Sequence, residues 1–231
     1  MQVISDIFEI NRRVCFNIWD MADVHSEPRG LSPRLILPEK RNKDIRISEQ
    51  ESRILYCGLL NTCNYYYSIE TPTEKTYVQT GTKPMSASSD LSLYQHDEGA
   101  FKKVMNAEFK AHNPSFKYIK KDIEKLVRED IPGNWFHTLR NTHSKTLPVL
   151  FEKFSRSLKY FNQITDNKTI SILFSFCVIK KRWACMKHFF YDQGQGDYAP
   201  FVDEFFGLNH KVENGKMQVL NENGWTIIHT L

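Results

Sequence analysis

The sequence lacks several features by which whole classes of protein are recognised. Its five cysteines are an odd number and form no C-x-x-C pair, so neither a disulfide framework nor a zinc site is indicated. The longest apolar run, 170–179, is interrupted by two serines and is too short to cross a bilayer. There is no phosphate-binding glycine loop and no signal-peptide pattern. These absences predict a cytoplasmic protein that neither spans a membrane nor hydrolyses nucleotides.

Charge is distributed unevenly along the chain, although the net charge is only +4. Residues 48–100 contain seven acidic and three basic side chains, whereas residues 137–187 contain ten basic and two acidic ones. The last 44 residues are again acidic, with six acids and two bases. An acidic region beside a basic one favours an enzyme whose metal ion acts on a polyanion. A solvated basic face without a ligand is the alternative.

The length of 231 residues suits one medium-sized domain with additions at its ends. A hydrophobic content of 41% with 25% charged residues is ordinary for a globular protein. We expect an N-terminal helix and extended connector over 1–47, a core over 48–190, and a C-terminal loop and hairpin packed on the core over 191–231.

Four helices are indicated by apolar residues at helical spacing. They cover about 5–20, 49–61, 116–128 and 144–161. The second helix opens with a capping box, Ser48-Glu49-Gln50-Glu51. Its periodicity predicts that Glu51 leans inward and that Glu49 faces water.

Strands are predicted from β-prone and apolar segments between the helices. Short strands are expected at 65–70 and 74–80, a meander at 90–94 and 106–110, a buried central strand at 170–179, and a further strand at 182–189. No helix or strand is assigned to the segment 135–143. A closing hairpin is expected from 216–220 and 225–230.

The meander brings charged side chains together. The period of two along a strand places Asn106, Glu108 and Lys110 on one face, and Ala107 and Phe109 on the other. By the same rule Asp90 lies on the face opposite the leucines of its own strand. Two carboxylates and an amine on the polar side of adjoining strands favour a site for a hard divalent cation and an activated water.

Asp90 followed by Glu108-Phe109-Lys110 resembles the PD-(D/E)xK motif of the restriction-endonuclease-like nuclease superfamily. The predicted order of elements over about 48–179 is similar to the αβββαβ core of that superfamily. Ser89 precedes the aspartate where the name of the motif has proline. The resemblance implies an α/β fold with a mixed central sheet flanked by helices, here extended by an N-terminal helix and a C-terminal β-hairpin.

The resemblance also implies a metal-dependent nuclease that uses Mg²⁺, with Mn²⁺ as a substitute. Asp90, Glu108 and the carbonyl of Phe109 would hold the ion. Lys110 would orient the attacking water or stabilise the charge that develops on the phosphate. Glu51, or Glu70 in its place, would assist the metal.

The expected substrate is DNA in preference to RNA, cut within the chain. On the helix after the Glu108 strand, Lys117, Lys120 and Lys121 are expected to contact phosphates. A homodimer or a partner protein would allow both strands of a duplex to be cut.

Three alternatives remain open from the sequence. The chain could keep the nuclease fold and act as a nucleic-acid-binding or protein-binding subunit of a larger complex. It could be a structural α/β interaction protein. Asp90, Glu108 and Lys110 could also be an ordinary surface ion pair, since such pairs are common and need no function.

Overall fold

The computed structural model describes residues 2–23, 35–41, 44–77, 83, 85–161, 169–193, 196–208 and 217–229. Most of the expected connector after the N-terminal helix, including Arg29 and Arg34, lies outside these residues. In the described part, no helix combines the length and the apolar character needed to span a membrane.

Helices and strands alternate along the chain in an α/β arrangement. In chain order they are α1 (Gln2–Ala22), α2 (Glu49–Leu60), β1 (Tyr66–Tyr77), β2 (Met85–Asp97), β3 (Ala100–Ala111), α3 (Phe116–Arg128), β4 (Gly133–Leu139), α4 (Thr146–Phe161), β5 (Thr169–Val178), β6 (Trp183–Asp192), α5 (Tyr198–Phe206), α6 (Met217–Glu222) and β7 (Thr226–His229).

The strands of the described residues form one mixed sheet in the order β1-β2-β3-β4-β5-β6-β7, the order in which they occur in the sequence. The first three strands form an antiparallel meander, and β3, β4 and β5 are parallel neighbours. Each parallel connection passes through a helix, α3 and then α4, because parallel strands need a crossover. The strands β6 and β7 continue the sheet in antiparallel pairing.

Two hydrophobic cores lie on opposite faces of the sheet. One packs α1 and α2 on the sheet through residues such as Ile10, Leu55 and Phe109. The other packs α3, α4 and α5 through residues such as Ile123 and Phe154. The protein is therefore a three-layer α/β/α sandwich, and its sheet is covered on both faces, as expected for parallel strands.

The faces of the meander agree with the period-two prediction. Leu91 and Phe109 belong to the core beneath α1 and α2. On the other face the Ser92 hydroxyl donates to Asn106 Oδ1 at 2.6 Å, and Lys125 of α3 reaches Glu108 at 2.6 Å. The polar side chains of β2 and β3 thus face α3.

The predicted C-terminal hairpin is wrong. The segment expected to be its first strand is helix α6, and β7 pairs with β6 instead. Helix α5 lies in the region where only a loop was expected. It buries Val202 and Phe206 in the core on the α3 side, so a tertiary contact stabilises this helix.

The sequence patterns assigned no helix or strand to 135–143, but Gly133–Leu139 forms β4 in the middle of the sheet. All seven residues are buried, although three of them are polar. Hydrogen bonds satisfy these three: Asn134 with Asn11, His137 with the His112 carbonyl, and Thr138 with Ser52. The polar residues interrupt the apolar pattern by which a buried strand is recognised.

The N-terminal part of the meander is one strand where two were predicted. β1 runs through Pro72, with an irregularity in its pairing between Pro72 and Thr76. Proline is compatible with this position because β1 is an edge strand of the sheet. The end of the second predicted strand, 78–80, lies outside the described residues.

Candidate functional site

The antiparallel register of β2 and β3 positions the first two acids. Leu91 pairs with Ala107, so Asp90 and Glu108 occupy the next facing positions. The Phe109 N–H donates to Asp90 Oδ2 at 2.8 Å, which fixes the Asp90 carboxylate against the neighbouring strand. The pairing of two short segments thus brings together carboxylates that are 18 positions apart in the sequence.

Lys110 is mostly buried beside these acids, with 14% of its side chain exposed. Its ammonium is 2.9 Å from Asp122 Oδ2, and it donates to the Phe109 carbonyl at 3.1 Å. The Asp90 and Glu49 carboxylates are further away, at 3.9 and 3.7 Å. Burial acts to lower the pKa of Lys110, but the surrounding carboxylates outweigh it and the net shift is upward. Lys110 is therefore charged at neutral pH.

Helix α3 contributes two side chains that sequence reasoning did not assign to the site. Lys125 Nζ lies 2.6 Å from Glu108 Oε2 and 2.8 Å from Asp122 Oδ1. Asp122 bridges the two lysines, because its other oxygen contacts Lys110. We call Glu49, Asp90, Glu108, Asp122, Lys110 and Lys125 the ionic cluster.

Glu108 is the most deeply buried member of the ionic cluster, with no exposed surface. Its Oε1 atom has no hydrogen-bond partner among the described residues, whereas Oε2 accepts from Lys125. Burial raises the pKa of Glu108 well above its usual range, against the pull of Lys125. A buried carboxylate oxygen without a partner is costly, and it marks a position where a ligand would be stabilising.

The acid of α2 that reaches the ionic cluster is Glu49, not Glu51. The Glu51 side chain is held by the capping box, where it accepts from the Ser48 backbone N–H at 2.8 Å and also contacts the Ser48 hydroxyl. The capping prediction is confirmed. Glu49 is 44% exposed, as expected of a side chain that faces water, but its carboxylate also lies 3.7 Å from the Lys110 ammonium. Glu70, the alternative helper, forms an ion pair with Arg53 at 2.5 Å.

The three lysines expected to contact phosphates lie on α3 in different environments. Lys117 and Lys121 are exposed. Lys120 is stacked on the Tyr160 ring of α4, with its ammonium 3.2 Å from the ring centroid. A cation held over an aromatic ring stabilises the contact between the two helices. Of the three lysines, Lys117 and Lys121 are therefore the two that are open to solvent.

The donor set of the ionic cluster suits a hard cation. Among the described residues, no group of three or more histidine, cysteine, aspartate and glutamate side chains has the arrangement of a metal site. Two carboxylates with a backbone carbonyl and water molecules are nevertheless a donor set that Mg²⁺ accepts. Asp90, Glu108 and Phe109 supply oxygens of these kinds, although the Phe109 carbonyl already accepts from Lys110. The cluster also has four carboxylates and two ammonium groups, so a divalent cation would balance its formal charge.

A separate cavity of about 1090 Å³ lies away from the ionic cluster. Its lining is mainly apolar and includes Phe8 of α1, Leu173 of β5 and Phe190 of β6. It contains none of the six cluster residues. This cavity is thus distinct from the ionic cluster.

Comparisons of this chain with protein-family models, with curated proteins and with solved structures found no match.

Proposed function

We propose that the protein is a metal-dependent nuclease that hydrolyses phosphodiester bonds in DNA. The observation that carries the proposal is the buried, unpartnered Oε1 atom of Glu108, a residue that faces Asp90 across the strand pair and binds Lys125 through its other oxygen. A buried carboxylate of this kind is well suited to a divalent cation, which would supply its missing partner and favour its ionised form.

The order of elements adds support to the proposal. Helix α2, strands β1, β2 and β3, helix α3 and strand β4 follow one another as helix, three strands, helix and strand. The restriction-endonuclease-like resemblance implies such an order, with the aspartate and then the glutamate and lysine in the strand meander, although the sequence patterns placed the last strand at 170–179. Asp90 lies on β2, and Glu108 and Lys110 lie on β3.

The residues have distinct tasks in the proposed reaction. Asp90, Glu108 and the Phe109 carbonyl would hold Mg²⁺, which supplies a Lewis acid and lowers the pKa of a bound water. Lys110 is charged and partly exposed, so its ammonium is suited to stabilising negative charge on the phosphate. Lys117 and Lys121 would contact backbone phosphates and hold the substrate in position.

The test is incubation of the protein with supercoiled plasmid and with linear DNA, in Mg²⁺ and in EDTA. We expect Asp90→Asn and Glu108→Gln each to lower the cleavage rate at least about a thousandfold, because metal binding and charge stabilisation are lost together. Asp97→Asn is the matched control, since Asp97 is exposed at the far end of the same strand. Equal rates for wild type and the two site variants would show that the proposal is wrong.

A second candidate function is binding of DNA without cleavage, within a larger assembly. The observation that favours it is that Lys110 and Lys125 already pair with the acids of the cluster. Such a protein would bind DNA with a strong dependence on salt and none on Mg²⁺. Salt-dependent binding by a wild-type protein that cuts no DNA substrate would favour this function over the nuclease.

A further inference from the structure

The ammonium group of Lys125 is surrounded by oxygen atoms from three elements of the fold. Glu108 Oε2 of β3 lies at 2.6 Å, Asp122 Oδ1 of α3 at 2.8 Å, and the Ser88 carbonyl of β2 at 2.9 Å. Only 4% of the Lys125 side chain is exposed. The three N–H groups of the ammonium are matched by three acceptors, so its donors are fully used.

This environment has the chemistry of a cation site. Two carboxylates and a backbone carbonyl are the oxygen ligands that hard metal ions take in proteins. Here the ammonium stands where an ion would be held. The fold thus surrounds a positive charge that is covalently part of the chain and is present under all conditions in which the lysine is protonated.

The two oxygens of Glu108 face different surroundings. Oε2 accepts from Lys125, whereas Oε1 has no partner in the described part of the chain. Asp90 faces Glu108 from the neighbouring strand, and 18% of the Asp90 side chain is exposed. One oxygen of Glu108 is therefore bound by a cation that belongs to the chain, and the other is not.

The two lysines of the ionic cluster are not equivalent. Lys110 is near the surface, and its distances of 3.7 and 3.9 Å to Glu49 and Asp90 are those of loose ion pairs. Lys125 is enclosed and makes three short contacts. Asp122 contacts both, so it sets the position of one lysine relative to the other.

We propose that the Lys125 ammonium takes the place of a second metal ion, so that the site binds one divalent cation and not two. This inference rests on the proposed metal centre, and it adds the number of divalent cations that the centre binds per chain. Lys125 is a positioning residue in this arrangement, since it acts through Glu108 and does not contact the substrate. Removing its side chain would free Glu108 Oε2, Asp122 Oδ1 and the Ser88 carbonyl for a second ion.

The test is titration of the protein with Mn²⁺, in which the free ion is followed by its paramagnetic resonance signal. We expect one Mn²⁺ per wild-type chain and two per chain of Lys125→Ala. Lys121→Ala is the matched control and should bind one, because Lys121 is exposed one turn earlier on the same helix. Adding Asp122→Asn to Lys125→Ala should return the count to one, since the second ion loses a charged ligand.

The outcomes separate this inference from the proposed function. Two Mn²⁺ per wild-type chain, or one per folded Lys125→Ala chain, would overturn the role of Lys125 and leave the nuclease proposal standing. No Mn²⁺ bound by wild type would overturn both. If Lys125→Ala is unfolded in EDTA, we expect Mn²⁺ to restore its cooperative thermal transition, because ions that bind only the native state stabilise it. A variant that stays unfolded at saturating Mn²⁺ contradicts the inference.

Discussion

At the scale of single residues, His137 is a titratable side chain that is buried in the core in its neutral form. Its Nε2 atom lies 2.7 Å from the His112 carbonyl, and its ring stacks on Phe176. Burial lowers its pKa to about 4, and the positive charges of Lys110 and Lys153 act in the same direction. His137 is therefore neutral in the native state under most conditions.

This lowered pKa predicts a loss of stability in mild acid. Between pH 6.5 and 4 the unfolded chain binds a proton at His137 that the native state does not, so the free energy of unfolding falls as the pH falls. The difference between the two pKa values corresponds to about 3 kcal/mol at pH 4. Urea unfolding at pH 7 and at pH 4.5 measures how far the free energy of unfolding falls over this interval.

The comparison requires two variants. His137→Gln should make the free energy of unfolding less dependent on pH over this interval. His143→Gln should leave the dependence as in wild type, because His143 is exposed. The same pH dependence in wild type and His137→Gln would show that another group is responsible.

Residue positions in the ionic cluster were predictable only in part. The alternation along β2 and β3 was sufficient to predict that Asp90, Glu108 and Lys110 lie on the same face of the sheet. Strand geometry fixes this period of two. Asp122 and Lys125 were missed because the charged residues of an amphipathic helix are expected on the face opposite its apolar stripe. The available signal was their i, i+3 spacing, which puts an acid and a base side by side at the border of that stripe.

At the scale of elements, a substitution at the start of α2 can distinguish whether Glu51 caps the helix or takes part in catalysis. Its side chain is engaged by Ser48, so Glu51→Ala should lower the free energy of unfolding by about 1 kcal/mol. Thermal or urea unfolding checks this value. A cleavage rate reduced a hundredfold in a variant that remains folded would instead place Glu51 among the catalytic residues, as the resemblance implies.

The exposed lysines of α3 allow a second test at this scale. Lys117→Ala and Lys121→Ala should each weaken DNA binding and lower the slope of log K against log salt by about 1, since each removes one phosphate contact. Lys102→Ala is the control, because Lys102 is exposed at the far end of β3. Unchanged slopes in both α3 variants would exclude this face as the site of contact.

The elements whose bounds were predicted most accurately have either apolar residues at helical spacing or a nearly continuous apolar run. Helix α3 has the predicted bounds, Phe116–Arg128, and the buried strand β5 differs from its prediction by one residue at each end. Strand β4 was missed because its buried polar groups are satisfied by partners far away in the sequence, such as Asn11 for Asn134. Local patterns contain no information about such partners.

At the scale of the whole molecule, Asn11 connects the N-terminal helix to the centre of the sheet. Its amide donates to Asn134 Oδ1 and to Ser175 Oγ, both at 2.8 Å, and all three residues are buried. Asn134 belongs to β4 and Ser175 to β5, so this network joins one helical layer to the two central strands. Buried polar networks of this kind are stabilising only while every member has its partners.

Asn11→Ala should therefore lower the free energy of unfolding by about 2–3 kcal/mol, because it leaves two buried polar groups without their donor. Urea unfolding at neutral pH measures the change. Asn17→Ala is the matched control on the same helix, where the side chain is only partly buried, and should change stability by less than about 0.5 kcal/mol. Equal effects of the two substitutions would show that the network contributes nothing specific.

The sequential order of the strands has a consequence for how the chain acquires its structure during synthesis. Because each strand pairs with its neighbours in the sequence, the sheet can grow from β1 towards β7 without a late strand inserting between earlier ones. The ionic cluster lies entirely within residues 49–125, so its charges meet in the part of the sheet that is made first. Helix α1 is the exception, since the partners of Asn11 exist only after β4 and β5 have been synthesised. Helix α1 is thus made before the sheet but is among the last elements to be fixed in place.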